Sequence, residues 1–252
     1  MPLTQDRISR YPSILVHQSL AMGTPATRQS TDQIYRALRG EIVSAGLRPG
    51  EAMSEARMAL RFGVSRTPVR EAFKRLVEDG FLSVVPQVGT FVAPIDIAAV
   101  HDSQFVRETL ECRTVVLAAR HIDDSGKAAL ERHVRQQERA LATGDQAAFF
   151  RYDDAFHAEI SRLAGHPAVW SLIESVKAQL DRVRCLSLES ATWPDMIMRE
   201  HRVIAENISK GDEAQAEKAM RAHLRTVFAA IENIARSHVD AFVGSAPPIR
   251  LD

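Results

Sequence analysis

Proline is nearly absent from the long C-terminal stretch of this chain. Eleven prolines stand in its 252 residues, yet only Pro167 and Pro194 fall between 95 and 246. Proline removes a backbone donor and clashes inside a helix, so a stretch almost free of it can run as helices. The glycines there stand singly, at 126, 144, 165, 211 and 244, between segments rich in Ala, Leu, Arg, Glu and Gln. That punctuation predicts helices over 97–121, 124–143, 145–164, 167–190, 195–210 and 212–240. Asp123 or Asp124, Asp145, Asp195 and Asp212 stand at or near the starts, where a carboxylate can accept from the free N–H groups of a first turn. Six such helices joined by short turns make a bundle, and no convincing strand interrupts it.

The region from 30 to 95 follows another pattern. Thr31 to Ala45 is amphipathic, with Ile34, Leu38 and Ile42 at helical spacing. Leu47-Arg48-Pro49-Gly50 is a turn, Ser54 caps a short helix through Arg61, and Phe62-Gly63-Val64 forces a tight turn. A further helix spans about 66–79, turning Val69, Phe73 and Leu76 inward, and Gly80 stops it. Phe81 to Val85 and Thr90 to Val92 read as strands around the turn Pro86-Gln87-Val88-Gly89. Helix, helix–turn–helix and hairpin make a winged helix. The expected class is therefore mainly α: an N-terminal winged helix-turn-helix with a small β-hairpin wing, and a C-terminal all-α bundle of six to seven helices. The expected limits are a flexible arm over 1–28, the winged helix over 29–94, the helical domain over 96–243 and a tail over 244–252.

Composition narrows the function classes. Thirty-two basic side chains balance thirty-two acidic ones, which argues against a chain that is basic throughout. The charge is unevenly spread: nine basic residues face seven acidic ones over 30–95, and twenty face twenty-four over 96–252. That asymmetry allows a nucleic-acid-facing N-terminal part. Two cysteines, Cys112 and Cys185, make neither a disulfide framework nor a metal-type spacing. No apolar run approaches the ~20 residues of a membrane helix, and Ile14-Leu15-Val16 is broken at once by His17-Gln18-Ser19. The expectation is a reduced, cytoplasmic protein with no membrane partner.

A helix–turn–helix lays its second helix in the major groove and reads with that helix's N-terminal residues. Here Ser65 and Thr67 supply hydroxyls, and the helix start aims backbone N–H groups at phosphate. Arg66 and Arg70 lie four apart on one face, and arginine can read guanine bidentately. Val64-Ser65-Arg66-Thr67-Pro68-Val69-Arg70-Glu71-Ala72, with Leu47-Arg48-Pro49-Gly50 before it and Glu78-Asp79-Gly80-Phe81-Leu82 after it, resembles the GntR family of transcriptional regulators. The resemblance runs from about 31 to 93. It implies that Ser65, Arg66, Thr67 and Arg70 contact double-stranded operator DNA, with Gly89 at the wing tip near the minor groove. The family commonly sets an Arg directly after the Ser-Glu of the first short helix; Ala56 holds that place here and Arg57 follows, so Arg57 is carried as a substitute. The wing tip, Gln87-Val88, lacks a basic residue.

Nine histidines are scattered along the chain, so position must select among them. Asp153 and His157, spaced i, i+4, share a helix face with Phe149, Phe156 and Ile160. His201 falls among Ile197, Ile204 and Ile208, and His223 among Met220, Val227 and Ile231. Three imidazoles and a carboxylate suit Zn²⁺, Ni²⁺, Mn²⁺ or Fe²⁺, and bundle interiors hold such sites. A single inward His is more often a hydrogen-bonded core residue, whereas four ligand-type residues turned inward are costly if unpaired. The residues alone leave both readings standing.

Asp-x-x-Phe-His over 153–157, Glu-His-x-x-Ile over 200–204 and Ala-Met-x-x-His-Leu over 219–224 resemble the ligand motifs of the FCD domain, the effector domain of the FadR-like GntR subfamily. The resemblance covers 96–240. It implies a divalent metal held by Asp153, His157, His201 and His223, and a small carboxylate effector met by Arg107. Asp154, the competing carboxylate, would point about 100° from the His157 face, and Arg107 could instead pair with Glu111 at i, i+4. The whole describes a homodimeric regulator on a palindromic operator, binding an organic acid, with repression relieved by effector the expected polarity. Two alternatives remain: a regulator with a purely structural metal, and a metal-dependent enzyme. No Ser-His-Asp arrangement, phosphate loop or paired-carboxylate motif accompanies the enzyme reading, and Glu200 leaves its helix on a different face from His201.

Overall fold

The computed structural model describes residues 30–187, 192–237 and 241–244. The arm over 1–28 and the tail beyond 244 lie outside the described residues, as do the last residues of the helices expected over 167–190 and 212–240. The chain divides between Ala93 and Pro94 into two compact units.

The first unit opens with α1 (Thr31–Val43), whose N-cap Ser30 and Gln33 exchange hydrogen bonds in a capping box. Strand β1 (Ala52–Met53) precedes α2 (Glu55–Phe62), where the Ser54 hydroxyl accepts from Arg57 N. Gly63 ends α2 at φ 65°, a left-handed conformation that glycine adopts without a Cβ penalty. The reversal sets α3 (Arg66–Glu78) against α1. Ile34, Leu38 and Ile42 of α1 and Val69, Phe73 and Leu76 of α3 are all buried, as their spacing predicts. Strands β2 (Leu82–Val85) and β3 (Gly89–Val92) form the hairpin, and β1 joins it in the order β1-β3-β2, all antiparallel. Sequence reading missed β1, because two residues show no alternation. Gly89 is also placed differently from expectation. It pairs with Val85 at the base of the turn, and the tip is Pro86-Gln87-Val88.

Among the described residues, the second unit begins with β4 (Ile95–Asp96) and continues as seven helices. These are α4 (Ile97–His121), α5 (Asp124–Ala142), α6 (Gln146–Leu163), α7 (Ala168–Val176), α8 (Ala178–Ser187), α9 (Trp193–Ser209) and α10 (Glu213–Ser237). Asp96, Asp123 and Asp145 each cap a helix through a carboxylate 2.7–2.9 Å from a first-turn N–H, worth roughly 0.5–2 kcal/mol apiece. Asp195 lies in the first turn of α9, which Thr192 precedes.

Two features differ from expectation. The helix expected over 167–190 is two, α7 and α8, meeting at Lys177. The Lys177 ammonium is drawn to Asp154 at 2.8 Å and Asp181 at 2.6 Å, and the Ser103 hydroxyl donates to Val176 O at 2.6 Å. A carbonyl at the end of α7 is thereby satisfied from outside the helix. Second, the bundle does contain a ladder: β5 (Phe242–Val243) lies parallel to β4, Ile95 opposite Phe242.

Packing puts α4 against α10, α6, α8 and α9, α5 against α6 and α9, and α9 against α10. Phe149, Phe156, Ile160, Ile197, Ile204, Ile208, Met220, Val227 and Ile231 fill the interior. The polar residues at the bottom of this core make the site.

Candidate functional site

In the first unit, Ser65 is the N-cap of α3 and its hydroxyl makes no cap hydrogen bond. Ser65, Arg66, Thr67 and Arg70 are all exposed. Arg66 Nη2 and Arg70 Nε lie 3.3 and 3.5 Å from Glu55 Oε2 on α2, with both guanidinium groups largely in solvent. Ion pairs this open are weak, about 0–1 kcal/mol, so a stronger anion can replace Glu55. The Glu55 carboxylate meanwhile aligns the two arginines on one face. Arg57 Nη2 donates to Ala52 O at 2.8 Å, so it braces β1 from an exposed position.

In the second unit, α6, α9 and α10 each contribute one imidazole to a buried cluster of His157, His201 and His223. His223 Nε2 lies 3.3 Å from His201 Nε2 and 3.2 Å from His157 Nε2. Outer partners decide which nitrogen faces in. His201 Nδ1 meets Gln137 Oε1 at 2.7 Å, His157 Nδ1 meets Glu111 Oε2 at 2.5 Å, and His223 Nδ1 meets Glu200 Oε2 at 2.8 Å. For His201 and His223 the acceptor is a hydrogen-bonded oxygen, so Nδ1 carries the ring's hydrogen and Nε2 offers a lone pair to the centre. His157 Nδ1 touches the Glu111 carboxylate as an ion pair without hydrogen-bond geometry. Burial and then His223 hold His201 well below the ordinary imidazole value. Burial likewise lowers His223, against the upward pull of its Glu200 hydrogen bond.

Nitrogen lone pairs converging this closely repel unless a proton or a metal ion lies between them. Donors bound at about 2.0–2.1 Å to one tetrahedral ion stand roughly 3.3 Å apart, the spacing of His223 Nε2 from each of the other two. Oxygen acceptors behind each ring are the usual second layer of a metal site. Charge agrees: among the described residues, the carboxylates Glu111, Asp153, Asp154, Asp181 and Glu200 join this network with the cations Arg107, Lys177 and Arg184, an excess of negative charge that suits a cation. The residues fit such an ion.

Asp153 is buried beside the imidazoles, Oδ1 3.7 Å from His201 Nε2 and Oδ2 4.0 Å from His157 Nε2. Gln137 Nε2 donates to Oδ1 at 3.2 Å, and Arg184 Nη2 donates to Oδ2. Burial would raise its pKa, but Arg184 and then His201 and His157 hold it far below the carboxylate range. Asp154 lies outside the cluster, on Lys177 and Arg184. Arg107 Nε donates to Glu111 Oε1 at 2.6 Å, the i, i+4 pair that its spacing allows, while Nη2 is buried without a partner. Glu111 thus links Arg107 to His157.

Sequence reading missed Glu111, Gln137, Glu200 and Arg184 as members of the site. Gln137 did carry a signal: it follows Leu130 and Val134 at core spacing, and it is fully buried.

A winged helix-turn-helix followed by a helical bundle is the arrangement of a two-domain transcription regulator. The chain matches the profile of the bacterial regulatory proteins, gntR family, over residues 30–92, and that of the FCD domain over 102–226. It is 37% identical over 86% of its length, and 95% of the relative's, to the HTH-type transcriptional repressor RspR of Escherichia coli. It is also 37% identical to a regulator in an unstable DNA locus of Streptomyces ambofaciens, over 88% of this chain and 93% of that one. The solved structure of E. coli McbR/YncC shares the fold at TM-score 0.65 and 20% identity, over 81% of this chain and 97% of that one. The chain belongs to the GntR family of transcriptional regulators, in its FCD-containing branch. Its relatives are regulators of transcription and not enzymes. Among the described residues no helix is long and apolar enough to cross a membrane.

Proposed function

We propose that this protein is a homodimeric repressor whose hold on a palindromic operator is governed by a small organic acid bound beside a divalent metal. The observation that carries the reading is the convergence of three buried imidazoles, with His201 and His223 each hydrogen-bonded from behind to an oxygen and His157 in contact with the Glu111 carboxylate. His157, His201 and His223 would hold the ion, with Asp153 as the carboxylate ligand, and the donor set suits Zn²⁺, Ni²⁺, Mn²⁺ or Fe²⁺. When bound, the ion supplies Lewis-acid affinity for an anionic oxygen.

Arg107 supports the effector's class. Its Nη2 is a buried donor without a partner, a condition costing about 1–3 kcal/mol, and an incoming carboxylate relieves it. Ser65, Arg66, Thr67 and Arg70 read the operator, Arg57 holds the neighbouring strand, and Gly89 shapes the wing. A two-fold dimer presents two α3 helices to two half-sites. Repression follows from the likeness to RspR, a repressor by name. The effector acts by binding DNA-competent and DNA-incompetent states unequally.

The test is operator binding by purified protein, metal-loaded and metal-stripped, titrated with candidate acids. Release of operator by an acid in the loaded form alone supports the reading. Acid-independent binding in both forms assigns the metal a structural role, and absence of any protected promoter sequence overturns the whole assignment.

A further inference from the structure

We propose that Arg184 is a positioning residue that restricts Asp153 to a one-oxygen metal ligand and thereby biases the site toward small, nitrogen-preferring ions. The inference rests on the metal reading above and goes beyond it. Arg184 reaches the site from α8, a helix that contributes no imidazole. It is buried, and its Nη2 donates to Asp153 Oδ2. The Nη1 side is held separately, by Asp181 Oδ1 at 3.0 Å and Asp154 Oδ1 at 3.4 Å. Its guanidinium carbon stands 5.4 Å from the centroid of the Phe150 ring. Lys177, bound to the same two acids, keeps Asp181 and Asp154 in place.

This anchoring decides what happens when a cation arrives. A guanidinium held by Asp153 alone would be displaced by a divalent ion competing for the same carboxylate. One gripped by two further carboxylates and packed on an aromatic ring stays where it is. Oδ2 is therefore committed. Oδ1 remains, on the His201 side, with Gln137 Nε2 fixing its direction. A carboxylate restricted to one oxygen supplies a single bond, which suits Zn²⁺ and its neighbours among three imidazoles. Larger oxygen-preferring ions such as Mn²⁺ and Ca²⁺ gain more from a two-oxygen carboxylate. The committed guanidinium also adds a positive charge beside the ion, which favours an anion at any remaining coordination position.

The first experiment uses the unaltered protein. The whole protein is loaded with Zn²⁺, its uptake measured against a chromophoric chelator, and its crystal structure determined. The expected result is Asp153 Oδ1 about 2.0–2.2 Å from zinc with Oδ2 still on Arg184. Both carboxylate oxygens on the ion, or Arg184 turned away from Asp153, overturns the inference while leaving the metal site intact. Failure to take up any divalent ion instead overturns the metal reading itself. The second experiment compares Arg184→Lys and Arg184→Gln with the parent protein, in affinity for Zn²⁺ and Mn²⁺. Lysine keeps the charge but not the two-sided fork. The ratio of Zn²⁺ to Mn²⁺ affinity should fall by about tenfold in folded variants, more for Gln than for Lys. A merely structural arginine would weaken both ions together, and an unchanged ratio refutes the selectivity role.

Discussion

His201 donates its Nδ1 hydrogen to Gln137 Oε1 across 2.7 Å, and the amide's other end donates to Asp153. One neutral side chain thus orients two members of the site, and its amide cannot be flipped without breaking both bonds. Gln137→Met keeps the volume and removes both. Metal affinity should fall about 10–100-fold, with helix content unchanged by circular dichroism. Competition against a chromophoric chelator measures it, and parental affinity would show that Gln137 does not set the ring.

On the DNA side, Arg66 makes an exposed pair with Glu55 among the described residues, so Arg66→Ala should leave the fold untouched. Loss of a base-reading arginine costs about 1–3 kcal/mol, roughly 5- to 150-fold in operator affinity. Gel shift with the native promoter reads the loss, and sedimentation and metal content serve as controls. Undiminished affinity would remove α3 from the role of reader.

Acid should unsettle the ion-free protein early. Burial depresses the pKa values of His201 and His223 below 6.5, so below that pH the unfolded chain binds protons that the folded chain refuses. Stability is present above about pH 6.5 and falls below it, by up to about 1.4 kcal/mol per ring per pH unit. Asp153 and Glu111, both held low in the fold, add a further loss below about pH 4. Urea unfolding of chelator-treated protein between about pH 7.5 and about pH 5.5 measures the first window. A level free energy across it would mean that the folded rings accept protons as readily as the unfolded ones.

Phe156 has no exposed surface and stacks on His201 at 4.5 Å between centroids. Phe156→Ala should cost about 3–5 kcal/mol and loosen the ring as well. Added Zn²⁺ should recover part of that loss by mass action. Thermal unfolding with and without metal measures both, and a loss under about 1 kcal/mol would contradict this packing.

Much of this architecture is legible before any coordinates. Isolated glycines and capping aspartates mark most helix ends, and the spacing of Ile34, Leu38 and Ile42 or Val69, Phe73 and Leu76 marks the buried faces. The break between α7 and α8 is not legible, since no glycine or proline stands at Lys177. It comes from tertiary bonds, Lys177 to Asp154 and Ser103 to Val176. The site divides the same way. His157, His201, His223 and Asp153 stand out as polar residues on apolar stripes. Glu111, Gln137 and Arg184 serve partners on other helices, and Glu200 on α9 serves His223 on α10, so spacing within one helix does not reveal them. Arg107 shows the limit of spacing from the other side, because its Glu111 pair and its unpartnered Nη2 occur together.

The ladder between β4 and β5 bears on how the protein can be trimmed. Phe242 and Val243 lie against Ile95, which has no exposed surface, and against Asp96, the residue that caps α4. A chain cut ahead of Phe242 would leave the β4 backbone edge without its partner strand, a template for a stray strand from another molecule. Shortened preparations should therefore clump in concentrated solution even with every helix intact.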